Sequence, residues 1–372
     1  MPDSAARESI EGCDSRRRED ISQMKPGLVV LLGSGETSSI GGQAFESVVR
    51  QLPAAPRIAV LETPAGFELN SAVVAGRVAD FLSQRLQNYR PELSVIPARK
   101  RNTQFSPDSP ELIRPLLKAN LIFMGPGSPS YAVRQLQNSL AWHSLIARHR
   151  LGAAVVLASA AVAAISAYAL PVYEIYKVGD ELGWRPGLDF FGAYGLPLVC
   201  IPHWNNAEGG ATLDTSRCFM GQERFAQLVA LLPREMTIVG IDEHTALVVD
   251  LSSMQCQVLG RGGVTVIKDG REQKHAAQEN FPLAVLGEAR HASREPSSGL
   301  PAAVWEQALA AQAEPAPPAA PPEVITLMEQ RQISRDQRDW ARADHLREQI
   351  AARGWIVVDT REGPHLEPAV GG

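Results

Sequence analysis

Four apolar runs in the first 160 residues each stop abruptly at a loop of small residues, and this spacing restricts the fold more than any other feature. Gly27–Leu32 leads into Gly33-Ser-Gly35-Glu36-Thr37, and Arg57–Glu62 into Thr63-Pro-Ala-Gly66. Leu121–Met124 leads into Gly125-Pro-Gly127-Ser128-Pro129-Ser130, and Ala153–Leu157 into Ser159 and a second small-residue run. The intervening patterns predict helices over about Gln43–Gln51, Asn70–Tyr89, Pro110–Ala119 and Tyr131–Asn138, with a further strand at Leu93–Ile96. Strands alternating with helices imply a parallel sheet covered on both faces. In such sheets sites form at the carboxyl ends of the strands, where these loops lie.

The serine at the end of the fourth run is the chemically pointed residue. A strand–turn–helix bend lifts the hydroxyl clear of the sheet and turns the next amide N–H toward a developing oxyanion. Downstream, Leu198–Ile201 reads as a buried strand that delivers His203 at its end. Nucleophile and general base are expected at the ends of neighbouring strands. Further on, Arg224–Leu232 reads as a helix and Ile238–Ile241 as a strand ending in Asp242-Glu-His244-Thr245. Ala246–Asp250, Cys256–Gly260 and Val264–Lys268 suggest an antiparallel extension that closes the domain near residue 270.

Other chemistries are poorly served. Gly33-x-Gly35 lacks the third glycine and the acidic residue of a dinucleotide fingerprint, and Gly125-Pro-Gly127 lacks a phosphate-binding lysine. His203, Glu208 and Asp214 have no metal-site spacing, so no metal and no cofactor is expected. The net charge of −5 argues against a generally basic nucleic-acid binder. Cys13, Cys200, Cys218 and Cys256 are scattered, as expected of reduced thiols in the cytoplasm, and no apolar run reaches the ~18 residues of a membrane span.

The chain divides by composition. Residues 1–26, with an arginine run at Arg16–Arg18, read as a disordered leader, and 27–270 as the α/β domain. Residues 271–322 read as an irregular segment ending in a Pro/Ala-rich linker, and 323–372 as a small separate domain. The last part carries two charged helical patterns, Glu323–Arg335 and Arg338–Ala352, then a strand at Trp355–Val358. Trp340, Ala343, Leu346 and Ile350 keep helical spacing.

Gly33-Ser-Gly35-Glu36, Thr63-Pro-Ala, Phe123-x-Gly-x-Gly127, the elbow serine, Pro202-His203-Trp-Asn-Asn-Ala207 and Gly240-Ile-Asp-Glu-x-Thr-Ala246 occur in that order. On these residues the stretch 27–268 resembles the class I glutamine-amidotransferase-like proteins, in their peptidase S51 branch with dipeptidase E and cyanophycinase. The resemblance implies a flavodoxin-like three-layer parallel sheet and a serine hydrolase acting on a small peptide or amide. It implies Ser159 as nucleophile, His203 as base, and an oxyanion hole at Gly127 and Ala160. It places the third triad member shortly after the serine, at Glu174, with Asp180 and Glu181 as alternatives. Tyr173 and Asn205 are the expected substrate contacts, and Lys177 and Arg217 the basic groups for an acidic substrate. The family elbow has glycine where this chain has Leu157 and Ala161. A leucine there is expected to bend the strand or re-aim the serine, so a catalytically degenerate scaffold remains the alternative.

The tail has its own resemblance. Asp339-Trp-Ala-Arg-Ala-Asp344-His-Leu-Arg347 with Gly354-Trp-Ile-Val-Val-Asp359-Thr360 is similar to the C-terminal, anticodon-binding end of cysteinyl-tRNA synthetases. Nothing else of a synthetase is present, so aminoacylation is not implied. The resemblance implies tRNA as a partner, with phosphate contacts from Arg331, Arg335 and Arg347 that are weak and salt-sensitive. Without RNA contact, the tail would be a docking or homodimerisation hairpin burying Trp340 and Trp355.

Overall fold

The computed structural model describes residues 25–290, 296–313, 320–360 and 363–369. The expected leader, with Cys13 and Arg16–Arg18, and most of the Pro/Ala-rich linker lie outside the described residues. The chain forms two compact units. The larger holds most of the chain up to Ala313; the smaller holds Glu314–Gly372 with Leu52–Ala55 and Asn88–Arg90.

In the larger unit, β1 (Val29–Leu32), β2 (Arg57–Leu61), β3 (Glu92–Ile96), β4 (Leu121–Met124) and β5 (Ala154–Ala158) are the predicted strands. They are followed by a short ribbon of β6 (Tyr168–Ala169) and β7 (Arg185–Pro186), then β8 (Leu198–Ile201), β9 (Thr237–Ile241) and β10 (Thr245–Asp250). The unit ends with β11 (Gln255–Gly260), β12 (Val264–Lys268), β13 (Arg271–His275) and β14 (Asn280–Pro282). The helices are α1 (Ser39–Val49), α2 (Ser71–Arg85), α3 (Pro110–Lys118), α4 (Pro129–Leu136), α5 (Leu140–Arg150), α6 (Ala160–Ala164), α7 (Gly221–Ala230) and α8 (Ala302–Ala313).

The main sheet has the order β14-β11-β10-β1-β5-β4-β2-β3. Its half from β1 to β3 is parallel, and β10, β11 and β14 extend it antiparallel. The parallel strands β1, β4 and β5 are buried at every position, which is why they read as unbroken apolar runs rather than alternating ones. Leu157 is wholly buried between Leu31 and Met124 of the neighbouring strands, and β5 keeps its register through Ala158. The distortion expected from a leucine at this position does not occur.

Three features depart from the sequence reading. First, the strand that carries His203 is not beside the serine strand. β8 belongs to a second sheet, β13-β12-β9-β8, in which it runs parallel to β9. Second, the helix predicted over Tyr131–Asn138 is α4, and a further helix not expected from the sequence follows it: Ser139 accepts from the Trp142 N–H (3.1 Å) and starts α5. Third, the segment after residue 270 is ordered into β13, β14 and α8. Half of helix α8 is alanine and it lacks a clear polar–apolar periodicity, which hid it. Val304, Trp305 and Ala308 nevertheless bury against Ala147 and Leu151 of α5.

The smaller unit pairs helices α9 (Pro322–Asp336) and α10 (Trp340–Ala351) with a hairpin of β15 (Trp355–Thr360) and β16 (Gly363–Pro368). Val324, Ile350, Trp355, Val357 and Leu366 form its core. Trp355 is buried in the core of this unit, and Trp340, in the first turn of α10, is 58% exposed. Among the described residues of both units, no helix is long and apolar enough to cross a membrane.

Candidate active site

Strand β5 ends at Ala158, and Ser159 takes φ 53° and ψ −116°, a conformation that L-residues avoid. Such strain costs roughly 1–3 kcal/mol and survives only when its surroundings enforce it. Here the Ser159 N–H donates to Leu32 O of the adjacent strand (3.1 Å), and its carbonyl accepts from Val162 in the first turn of α6 (2.9 Å). The hydroxyl, instead of capping α6, turns to Nε2 of His203 at 2.8 Å. The elbow therefore forms with Leu157 and Ala161 at its flanks, both wholly buried.

His203 also sits at positive φ (51°), just past the end of β8. Its N–H donates to Gly33 O (3.3 Å), which ties the second sheet to the end of β1. The carboxylate at its other ring nitrogen is Glu243: Nδ1 lies 3.0 Å from Oε1. A carboxylate only accepts, so Nδ1 carries the proton and Nε2 is left to accept from the serine hydroxyl. The hydrogen bond from His203, ahead of all other causes, holds the Glu243 carboxyl below the usual carboxylate range. Asn206 Nδ2 donates to the same oxygen (2.9 Å). The Glu243 N–H donates to Asn205 Oδ1 (2.7 Å), and the neighbouring His244 N–H to Ser34 Oγ (3.1 Å).

Glu174, expected as the third member, is elsewhere. It opens the short helical segment Glu174–Val178, with one carboxylate oxygen 4.0 Å from Arg185. Its Oε2 is buried and finds no hydrogen-bond partner among the described residues. Asp180 faces Arg185 at 3.5 Å, and Glu181 is exposed. The sequence resemblance places the acid between serine and histidine along the chain, whereas parallel pairing of β8 and β9 brings His203 and Glu243 to the same sheet end. The motif Gly240-Ile-Asp-Glu-x-Thr-Ala246 already contained Glu243. Asn205, expected to touch substrate, spends its side-chain oxygen on the Glu243 backbone.

Ser159 and His203 open into a cavity of about 190 Å³. Gly127, Pro129 and Ala160 line one side; Tyr173, Tyr176, Lys177, Glu208, Cys218 and Phe219 line the rest. Gly127 has φ +144°, and a Cβ there would fall 2.0 Å from Pro64 O, so only glycine brings this backbone against the pocket wall. Tyr173 lines the pocket, and burial raises its phenol pKa. The Lys177 ammonium lies over the Tyr176 ring at 4.9 Å. Arg217, the other basic group considered, stacks on Trp204 at 3.9 Å instead of lining the cavity. Asp214 accepts from the Ser216 N–H of its own loop and from the Gln222 N–H in the first turn of α7. Cys218 is buried, and burial pushes its thiol up to about 12, so it is no nucleophile.

In the tail, Arg331 is 4% exposed and grips Asp359 with both guanidinium nitrogens at 2.9 Å, and Arg335 bonds the same carboxylate. Two of the three arginines expected to meet phosphate are thus committed to holding β15 on α9. Arg347 is exposed.

The larger unit is a mixed α/β fold built on a largely parallel sheet, and comparison with solved structures agrees on that fold. The structure is similar to that of a peptidase from an acI-B1 Actinobacterium, with TM-score 0.56 and 23% identity, over 69% of this chain and 97% of that one. The tail is defined separately. Residues 317–365 match the family model of the cysteinyl-tRNA ligase anticodon binding domain. The cysteine–tRNA ligase of Chlamydia abortus is 47% identical over 47 residues, and that of Methanosarcina acetivorans 43% over 49 residues. Each alignment covers 13% of this chain and only 10% of the ligase.

Proposed function

We propose that the larger unit is a serine hydrolase that cleaves a small peptide or amide. Ser159 is the nucleophile, His203 the general base and then acid, and Glu243 the carboxylate that orients the imidazole and stabilises its protonated form. The amides of Gly127 and Ala160 are the oxyanion donors. The single observation that carries the reading is the 2.8 Å contact from Ser159 Oγ to His203 Nε2, made by a serine held at positive φ. That geometry speaks against the degenerate-scaffold alternative, because a residue with no task at this position has no reason to store strain. Three buried free thiols, Cys200, Cys218 and Cys256, favour a reducing, cytoplasmic setting. A fluorophosphonate probe tests the proposal: it labels Ser159 in the wild type and leaves Ser159→Ala unlabelled. Failure to label the folded wild type would return the scaffold reading.

For the tail we infer contact with tRNA, supported by the match of residues 317–365 to an anticodon binding domain. Binding of tRNA by the full chain, compared with a chain ending at Ala313, tests this. Equal affinity of the two would remove the tail from any RNA role.

A further inference from the structure

The cavity beside Ser159 does not end at its own walls. Tyr173, which lines it, is 41% exposed and meets the edge of Phe67, 48% exposed, with ring centroids 6.4 Å apart. Phe67 rests in turn on Tyr131 at 5.2 Å. Tyr131 is buried in the first turn of α4, and its hydroxyl donates to Arg99 O (2.9 Å), so the shelf has a rigid base. Scattered exposed apolar residues need no explanation, but two contacting aromatic rings that continue a nucleophile's pocket form a surface that gains from being covered.

We propose that Phe67 and Tyr173 form a substrate subsite for an aromatic or bulky apolar side group, continuous with the cavity at Ser159. The inference rests on the serine-hydrolase reading and adds to it what the enzyme selects. Charge narrows the occupant: Glu68 follows Phe67 in the chain and lies within electrostatic reach of Tyr173, so an anionic group is disfavoured on this shelf. The pocket's cation, Lys177, lies over Tyr176, whose ring pairs with Phe219 rather than with the shelf.

The test uses the full chain and two fluorophosphonates that differ only in one substituent, benzyl or methyl. In each, Ser159 Oγ forms a bond to phosphorus, the P–F bond breaks, fluoride leaves, and the serine proton passes to His203 Nε2. The benzyl probe is expected to label wild type roughly tenfold faster than the methyl probe, the discrimination typical of apolar pockets. Phe67→Ala brings the ratio of the two rates toward one, whereas Phe67→Leu, which keeps an apolar surface, retains part of it. Equal rates in the wild type overturn the subsite while leaving the nucleophile in place. An unchanged ratio in Phe67→Ala also overturns it; if that variant at the same time loses a dimer seen for wild type by native mass, the shelf is an interface between copies. No labelling by either probe overturns the hydrolase reading and the subsite with it.

Discussion

Nδ1 of His203 lies 3.0 Å from Oε1 of Glu243, and the two residues reach this position from adjacent parallel strands of the second sheet. In the proposed mechanism this contact makes Glu243 the orienting carboxylate. Glu243→Gln replaces an acceptor with an amide that can present a donor to Nδ1, which favours the wrong imidazole tautomer. Fluorophosphonate labelling of Ser159 should slow by roughly 10²–10⁴-fold. Glu174→Gln should leave the rate near wild type. If Glu174→Gln slowed labelling as much as Glu243→Gln, the assignment would be wrong. Because the folded Glu243 carboxyl titrates below its ordinary value, its stabilising bond to His203 is complete above the unfolded carboxylate pKa. That contribution is lost only as pH falls through the lower, folded value.

The wall behind His203 is held by an unusual turn. Arg217, Cys218 and Phe219 are consecutive non-glycine residues at φ 57°, 58° and 68°, a conformation that costs about 1–2 kcal/mol per residue. The Arg217 N–H donates to Trp204 O (2.8 Å) and the Cys218 N–H to His203 O (3.1 Å), while the Arg217 guanidinium stacks on the Trp204 indole. Arg217→Ala removes the stacked clamp and should lower stability by about 0.5–2 kcal/mol in urea unfolding. It should also slow Ser159 labelling, because the strained turn supports the His203 backbone. Arg217→Lys, which keeps a cation over Trp204, should recover part of both. Wild-type behaviour of Arg217→Ala would show that the turn is held by its backbone bonds alone.

The parallel half of the main sheet was legible because burial on both faces leaves one signal, an unbroken apolar run, and the loops that follow carry small residues. Ser159 and His203 were legible for the same reason, since each ends such a run. Glu243 was not, because its role depends on which strands pair, and nothing local to Ile238–Ile241 states that it lies beside Leu198–Ile201. The second sheet was lost with it. Helix α8 escaped because alanine at close-packed positions carries no amphipathic contrast. In the tail, the i,i+4 arginines Arg331 and Arg335 looked like a phosphate-facing pair. The β15–β16 hairpin, only half predicted, brings Asp359 between them.

A buried histidine gives the larger unit an acid-sensitive point. His149 donates from Nε2 to Gly27 O (2.9 Å) and accepts at Nδ1 from the Tyr194 hydroxyl (3.0 Å), so it is neutral in the folded state. Burial lowers its pKa from 6.5 to about 3. Between those values the unfolded chain binds a proton that the folded chain refuses, so stability falls as pH drops below about 6.5. The loss is at most about 5 kcal/mol by pH 3. His149→Gln can make both hydrogen bonds without titrating. It should flatten the slope of unfolding free energy against pH between 6 and 4; an unchanged slope would assign the acid sensitivity to other groups.

The tail should respond to acid in a different window. Arg331, by its hydrogen bonds, and then Arg335 lower the Asp359 pKa from 3.8 to about 2. The contribution is therefore intact above pH 4 and lost as pH falls toward 2. Near-neutral Asp359→Asn should lower the tail's melting temperature, read from the fluorescence of the buried Trp355, and remove that acid transition. Retention of the transition in Asp359→Asn would place it on another carboxylate.

The same ion pair decides how tRNA binding by the tail should be dissected. Arg331 is sequestered, so Arg331→Ala acts on folding by removing its two bonds to Asp359 and leaving that carboxylate to Arg335 alone; any loss of tRNA affinity in that variant should track loss of tail structure by circular dichroism. Arg347 is exposed on α10, and near its start Trp340 presents an open indole. Arg347→Ala should keep the fold and, if it removes one phosphate contact, lower the slope of log affinity against log salt by about one. Trp340→Ala should weaken binding by about 1–3 kcal/mol if the indole stacks on an unpaired base, with little change in the salt slope. Filter binding at low and physiological salt separates the two effects. A folded Arg347→Ala, Trp340→Ala double variant that binds tRNA as tightly as wild type would exclude this face of α10 as the RNA surface.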